Sequence, residues 1–189
     1  MNNISLIKYI KLIATFAIVS LSVALSGCST LSKGECMEAD WYDIGARDGA
    51  SGKPRSRLDD HRESCKEYNV FPDREQYYMG REEGIKIYCT PENGFKMGSE
   101  GKYYAKVCPF DLEKAFLDSF NHGRKIYDVR KKIADNNRSI DRLENELSKK
   151  ETKQDRRKII REEILSLDRR NRTLRDELTY LEKNIKYRY

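Results

Sequence analysis

The C-terminal third of the chain contains no residue that would interrupt a helix. From Asp128 to Tyr189 the sequence has no glycine, proline, cysteine or tryptophan. A chain with such a segment must place it in long helices that pack along one apolar seam. Asn171 falls within the seam, where a buried polar side chain can fix helix register. The apolar residues alternate at spacings of three and four, the heptad pattern of coiled coils: Ile133, Ile140, Leu143, Leu147, Ile160, Ile164, Leu167, Leu174, Leu178, Leu181 and Ile185.

The heptads fall into two phases that do not join across the polar segment 148–158. Within it, Thr152 and Asp155 are spaced like a helix N-capping box. A chain that turns near residues 150–152 has two arms of equal length, the first beginning after Pro109, and forms an antiparallel hairpin. The alternative is one continuous helix of about 78 residues, or about 117 Å, that forms a homodimer through the coiled coil. Equal arms favour the hairpin.

The other end of the chain has the layout of an export signal. Residues 1–27 place lysines before an apolar core from Leu12 to Leu25, which is typical of a signal peptide. The sequence Leu-Ser-Gly-Cys that ends at Cys28 resembles the lipobox of bacterial lipoproteins. The resemblance implies cleavage before Cys28 and lipidation of its sulfur and amine, palmitate included, with residues 28–35 as a lipidated tether. An uncleaved membrane anchor is the alternative. Ser29, by resemblance to enterobacterial sorting, favours the outer membrane, with the protein facing the periplasm.

Export changes how the remaining cysteines are interpreted. Four are left after Cys28, and an even number in an oxidising compartment indicates two disulfides. Four cysteines allow three pairings, among which the sequence does not choose; we predict the neighbour pairs Cys36–Cys65 and Cys89–Cys108. No Cys-x-x-Cys pair occurs, which disfavours a zinc site.

Between and beyond the cysteines, a motif of an aromatic residue followed three positions later by glycine occurs four times. At helical spacing its members lie on one face, and glycine there lets a neighbour approach closely. We predict small helices in which aromatic rings fill glycine grooves, within a Cys-rich domain of residues 36–108. The alternative is a ligand groove for a sugar ring. The Phe95 copy is one residue short, which predicts a loop. The copies are Tyr42-Gly45-Gly49, Tyr77-Gly80-Gly84, Phe95-Gly98-Gly101 and Phe120-Gly123-Tyr127.

Candidate catalytic residues are few. His61 lies beside Asp59 and Glu63, and His122 is the second histidine of the chain. No metalloprotease motif, nucleophile elbow or phosphate-binding loop is present. We therefore expect no catalytic site, metal or cofactor, and, for an exported protein, no nucleic-acid partner. The alternative function is a small cell-wall enzyme or glycan-binding module that uses His61 with Asp59 or Glu63 at the aromatic groove.

The central region resembles a known family. The segments "GREEGIKIYCTPENGFKMGSEGKYYAKVCP" and "FLDSFNHGRKIY", preceded by "WYDIGARDG" and "HRESC", are similar to proteobacterial envelope lipoproteins catalogued only as a domain of unknown function. The resemblance implies a Cys-bearing domain followed by paired C-terminal heptads. It implies no activity.

Charge is concentrated in the heptad region. Positions 128 to 189 hold 19 Lys and Arg residues against 13 Asp and Glu residues, a difference of +6 that equals the formal net charge of the whole chain. The sequence thus predicts an all-α protein: a disulfide-stapled domain followed by a basic helical hairpin over residues 109–189. We expect a lipid-anchored, non-catalytic binding or scaffold module whose hairpin contacts an envelope protein or peptidoglycan. The alternative for the charge is ordinary solvation of the helices with Glu–Arg pairs.

Overall fold

The computed structural model describes residues 30–185, and this part of the chain contains helices and no strands. The predicted signal peptide and Cys28 lie outside the described residues. The all-α prediction is confirmed. The helices are α1 (Lys33–Met37), α2 (Trp41–Ala50), α3 (Arg57–Lys66), α4 (Arg74–Tyr88), α5 (Pro91–Ser99), α6 (Phe110–Ser148) and α7 (Gln154–Lys183).

Side-chain caps begin four of these helices. Asp40, Asp73 and Thr90 each accept a hydrogen bond from the backbone N–H three residues ahead, at the starts of α2, α4 and α5. Ser32 and Glu35 form a complete capping box at α1. Caps of this kind satisfy N–H groups that the helix cannot bond internally. The short helices therefore have boundaries set by local sequence.

Glycines bring the domain helices together in pairs, with backbone against backbone. The first helix pair is α2 with α4: a Cβ on Gly45 would lie 2.0 Å from the carbonyl oxygen of Tyr77, and one on Gly80 would lie 1.9 Å from that of Tyr42. The second helix pair is α5 with the first half of α6, where a Cβ on Gly98 would lie 2.0 Å from the Phe120 oxygen. Such distances leave no room for any side chain. The predicted aromatic-into-glycine packing is therefore wrong at these positions, since carbonyl groups occupy the glycine faces.

The two helix pairs repeat one arrangement. Gly52 and Gly101 follow α2 and α5, both with positive φ, and each faces a tyrosine ring of the partner helix, Tyr88 and Tyr127 respectively. In both turns the residue after the glycine donates its backbone N–H to the carbonyl five positions earlier: Lys53 to Asp48, and Lys102 to Met97. This hydrogen bond is typical of a glycine C-cap. Equivalent positions in the first helices of the two pairs, Gly45, Gly49 and Gly52 against Gly94, Gly98 and Gly101, differ by 49 residues. The domain is thus built from two copies of a glycine-packed helix pair.

The domain has two hydrophobic cores, each with one disulfide. Both predicted bonds are present, with Cα–Cα distances of 5.4 Å for Cys36–Cys65 and 5.6 Å for Cys89–Cys108. The first core also contains Leu31, Trp41, Ile44, Leu58 and Tyr77, and the second contains Ile85, Tyr88, Met97, Tyr104, Phe116 and Phe120. The second is aromatic: the Phe116 ring lies 4.8 Å from Tyr104 and 5.5 Å from Tyr88, centroid to centroid.

The long helices α6 and α7 form the predicted antiparallel hairpin, with a turn at residues 149–153. Asn171 is 1% exposed; it accepts from the Asn136 side-chain amide and donates to the Asn137 side-chain carbonyl. At the base, Arg130 pairs with Glu182 across the arms at 2.8 Å. These contacts lie within one chain, which favours the hairpin over the continuous helix.

Several details differ from the sequence predictions. The Phe95 copy is helical, because Thr90 and Pro91 start α5. Its spacing is shorter because Gly98 corresponds to Gly49, and Gly101 corresponds to Gly52 in the turn after the helix. Thr152 does not cap α7; its hydroxyl donates to the Glu146 carbonyl, and Lys153 takes the cap position without a side-chain bond. The first half of α6 packs within the domain, so packing extends past the predicted boundary at residue 108.

The predicted tether, residues 28–35, is mostly folded. Leu31 is 6% exposed within the first core, and α1 begins at Lys33. Of the tether, only residues 28 and 29 lie outside the described part of the chain. The domain therefore begins almost directly after the predicted lipidation site.

Replacing Asn171 by alanine should weaken the hairpin. The change removes the two hydrogen bonds that Asn171 forms with Asn136 and Asn137, each worth about 0.5–1.5 kcal/mol, so the loss is about 1–3 kcal/mol. Amide hydrogen exchange in both arms should accelerate accordingly. Asn145→Ala, at an exposed position on α6, is the control and should leave exchange unchanged. Equal exchange in both variants would contradict a structural role for the asparagine layer.

Candidate functional site

His61 is the centre of a buried polar network in the first helix pair. Its ring is 2% exposed and lies on α3. Nε2 is 2.8 Å from Oδ2 of Asp48, on α2, and Nδ1 is 2.7 Å from the hydroxyl of Thr30. The Tyr77 hydroxyl, on α4, donates to the same Asp48 oxygen at 2.8 Å. Ser64 completes the set: it accepts from the Thr30 backbone N–H and donates to the Asp60 carbonyl.

The network holds a carboxylate away from bulk water. Burial alone would raise the pKa of Asp48, but the hydrogen bonds from His61 and Tyr77 outweigh it, and the pKa lies below its ordinary value. Burial and the Asp48 carboxylate together raise the pKa of the Tyr77 hydroxyl, which stays protonated. With a proton on Nε2, the imidazole donates to Asp48 and accepts from Thr30. The arrangement joins α2, α3 and α4 to the start of the described chain.

An acid, an imidazole and a hydroxyl in line could in principle relay a proton. The contacts of His61 argue against this use, because the ring is 2% exposed and both of its nitrogens already have protein partners, Asp48 and Thr30. Asp59 and Glu63, the predicted partners of His61, are exposed on α3 and do not contact it. That grouping is wrong, since residues two apart on a helix point in different directions. His122 is remote and meets the Leu181 carbonyl of α7 at 3.1 Å.

The predicted sugar groove is also absent from this region. The glycine faces of α2 and α4 are covered by each other's backbone. Tyr42 contributes its carbonyl to this contact while the residue remains 40% exposed. Of the remaining packing residues predicted from sequence, Gly49 and Gly84 lie in the α2–α4 contact and Gly123 lies between α5 and α6.

Sequence reasoning missed Asp48, Thr30 and Ser64. Asp48 lies 13 residues from His61, on another helix, and nothing in the local sequence marks it as the partner. The one available signal was its position within the repeated glycine motif, between Gly45 and Gly49, on a helix that must pack closely.

The pKa of Asp48 predicts a loss of stability in acid. The folded-state pKa lies below the unfolded value of about 3.9, so the carboxylate's contribution is complete above that value and is lost as pH falls through the folded pKa. The unfolding free energy should therefore decline below about pH 4. Asp48→Asn should remove this part of the decline, and Tyr77→Phe, which deletes one of the two hydrogen bonds, should reduce it. Urea unfolding at a series of pH values measures the decline in unfolding free energy. The same dependence on pH in the wild type and in both variants would refute the assignment to Asp48.

The hairpin contains an open stretch of seam between its arms. Ser139 and Ser166 face each other there, and their small side chains leave a depression of about 480 Å³. Leu143 and Leu167 also line it. Its remaining walls are two arginines and two glutamates: Arg142, Arg170, Glu146 and Glu163.

Residues 30–185 offer neither a metal centre nor a membrane span. In that range, no three His, Cys, Asp or Glu side chains lie together as a metal would need. None of the helices there combines the length and apolar character needed to cross a membrane.

Comparison with known proteins gives one family match, to the glycine-packed part of the chain. Residues 40–125 match the model of a family described as "Protein of unknown function (DUF2799)". No curated protein and no solved structure matches the chain. The matched range begins at the cap of α2 and ends two residues beyond Gly123, in the first half of α6. It therefore includes all the glycines at which the helices of the two pairs meet. Residues 40–125 are thus similar to this family of unknown function, in agreement with the resemblance of the central segments.

Proposed function

We propose that the protein is a lipid-anchored envelope lipoprotein that acts without catalysis, by binding an anionic partner through its helical hairpin. The observation that carries the proposal is the basic, incompletely closed surface of the hairpin. The sequence from residue 128 to 189, which includes most of both arms, has 19 Lys and Arg residues against 13 Asp and Glu residues. Leu165 of α7 is 57% exposed, and the depression between the serines is open.

The partner should present acidic groups around an apolar one. Arg142 and Arg170 line the depression and would attract carboxylates, while Leu143 and Leu167 offer apolar contact. The two glutamates of the lining, Glu146 and Glu163, are already paired with Arg156. Peptidoglycan and an acidic helix of an envelope protein both meet this description. Electrostatic attraction of exposed arginines should make the binding sensitive to salt, because the screening length is about 8 Å at physiological ionic strength.

The fold also supports a short connection to the membrane. Thr30 is bonded through both its N–H and its hydroxyl to α3, and Leu31 is buried. If Cys28 is the lipidated residue, one residue separates it from this folded segment. The domain would then be held against the bilayer surface and not on a long flexible tether.

Photo-crosslinking in cells tests the binding proposal. A crosslinker at exposed Arg169, on α7, should trap a discrete acidic envelope protein or a peptidoglycan fragment, whereas the same group at exposed Lys96, on α5, should not. The yield in washed envelopes should fall as salt rises. Equal products from both positions, or none from Arg169, would contradict the proposal.

Two further experiments separate its parts. Palmitate labelling should be lost in Cys28→Ser; equal labelling of that variant and the wild type would exclude lipidation there. Removal of residues 131–185 should abolish function, while His61→Gln should preserve it in protein that remains folded. A null phenotype from folded, abundant His61→Gln would favour an enzyme instead.

A further inference from the structure

A second candidate site lies in the globular domain, between the two helix pairs. It is a cavity of about 480 Å³ bounded by the turn after α2, one face of α4, the connection before α6 and the first turn of α6. Ile85, Val107 and Leu112 supply apolar wall. The charged residues that line it are four basic and two acidic: Arg55, Arg81, Lys86, Lys106, Glu82 and Asp111.

Arg81 is the unusual member of this lining. It is 4% exposed, and in the described part of the chain its guanidinium forms no ion pair. Its one hydrogen bond runs from Nη2 to the Lys53 carbonyl at 2.8 Å, and its Nε is buried without a partner. Burial, and the like charge of Arg55 nearby, lower the pKa of Arg81. An incompletely bonded buried cation is costly to retain.

The equivalent arginine of the second helix pair shows what capping alone requires. Arg124 donates to the carbonyls of Gly101 and Lys102 at the end of α5, as Arg81 does to Lys53 at the end of α2. Arg124 uses two nitrogens for this, lies over the Phe120 and Tyr127 rings, and does not line the cavity. Capping a helix end therefore accounts for one hydrogen bond of Arg81 but not for its burial against a basic cavity.

Within the described residues, two of the other three cations, Arg55 and Lys106, are also without acidic partners, whereas Lys86 pairs with Glu83 at 2.7 Å. Arg55 stacks over the Tyr78 ring at 4.5 Å and, like Lys106, forms no ion pair among residues 30–185. The exposed carboxylates of Glu82 and Asp111 line the cavity but pair with neither. The lining thus holds four basic side chains against two acidic ones, and the rest of its wall is apolar.

The wall that carries Lys106 is held in place. The Cys89–Cys108 bond closes the connection onto α4. The Tyr104 hydroxyl accepts from the Cys108 N–H and donates to Glu113, both at 3.0 Å. Burial of this hydroxyl is the main cause that raises the pKa of Tyr104 to about 12, so it remains a donor. The cavity is accordingly preformed, which limits the entropy lost on binding.

We infer that this cavity binds an organic carboxylate, such as the C-terminus of a short peptide, with Arg81 as the buried anchor and Lys106 at the rim. A planar guanidinium matches the geometry of a carboxylate. The apolar wall favours an anion with a carbon body over a free inorganic ion. The inference is separate from the hairpin proposal, since the α6 residues that line this cavity, Asp111 and Leu112, lie in its first turn, and the depression between the arms shares no lining residue with it.

Calorimetric titration of the full-length protein, purified in mild detergent, tests the inference. The probe is N-acetyl-alanyl-alanine, and its C-terminal amide is the matched control. We expect saturable binding of the acid, none of the amide, and inorganic phosphate at least about tenfold weaker, because it gains nothing from the apolar wall. Binding of the amide equal to that of the acid, no binding of the acid, or phosphate binding as tightly would each overturn it.

Variants locate the site. Arg81→Lys should weaken binding of the acid at least about tenfold, because an ammonium cannot replace a planar fork. Arg124→Lys, which alters the same capping contact in the other copy, should bind as the wild type does. Lys106→Ala, at an exposed position, should weaken binding severalfold with unchanged circular dichroism, so the test does not depend on Arg81→Lys folding. Unchanged affinity in folded Arg81→Lys or in Lys106→Ala overturns the assignment.

Discussion

Gly80→Ala should destabilise the domain by about 3 kcal/mol or more, at the upper end of the cost of overpacking. The added methyl group would lie 1.9 Å from the Tyr42 carbonyl oxygen and 2.7 Å from its carbonyl carbon. Neither atom can move aside, because both belong to the backbone of α2. The two helices must therefore separate along their whole contact, which also strains the reciprocal approach of Gly45 to Tyr77.

The same substitution elsewhere provides the control. A methyl group added at Gly34, on α1, would meet no atom of another element within 4 Å. Alanine there should be neutral or stabilising by up to about 1 kcal/mol through helix propensity. Urea unfolding of both variants measures the difference. If alanine lowers the unfolding free energy at Gly80 but not at Gly34, the loss is due to helix packing and not to helix propensity. A Gly80→Ala protein as stable as the wild type would contradict the backbone contact.

Loss of the Cys89–Cys108 bond should cost about 3 kcal/mol, the typical value for a loop of this length. The bond spans 19 residues and fixes the connection before α6 against the end of α4. In Cys89→Ala/Cys108→Ala the connection should become sensitive to protease near Lys106, because its attachment then depends on Tyr104. The effect on unfolding free energy should be read from urea titrations under oxidising conditions.

Reduction provides the matched comparison. Dithiothreitol should lower the stability of the wild type by opening both bonds, and should lower that of the double variant only through Cys36–Cys65. Non-reducing peptide mapping should recover the two neighbour pairs. Crossed pairs, or free thiols in protein from an oxidising compartment, would contradict the connectivity.

The helical class, the disulfide pairs and the hairpin could be predicted because each has a local or periodic signal. The heptad pattern indicates which face of each helix is apolar, and the phase break at residues 148–158 indicates where the chain turns. The glycine spacing likewise indicated close helix packing. It did not indicate the partner atom, because glycine specifies only that something approaches, and here that is a carbonyl group.

The candidate sites were less accessible to such reasoning. The His61 network and the Arg81 cavity both join residues from separate helices, so neither leaves a motif in the sequence. The predicted neighbours Asp59 and Glu63 were chosen by proximity along the chain, whereas packing of α2 on α4 decides that Asp48 and Tyr77 meet the ring. Tertiary contacts of this kind follow from the fold alone.

The uninterrupted helix α6 has a consequence for how a force on the hairpin would reach the domain. Helix α6 runs without interruption from the aromatic core to the tip of the hairpin, and after Gly123 it has no glycine or proline at which it could bend. A partner that pulls on the tip therefore acts on a stiff lever whose near end is the wall of the second core. The torque would be borne by the glycine contacts of α5 with α6, so occupancy of the hairpin and integrity of the helix pair are mechanically coupled.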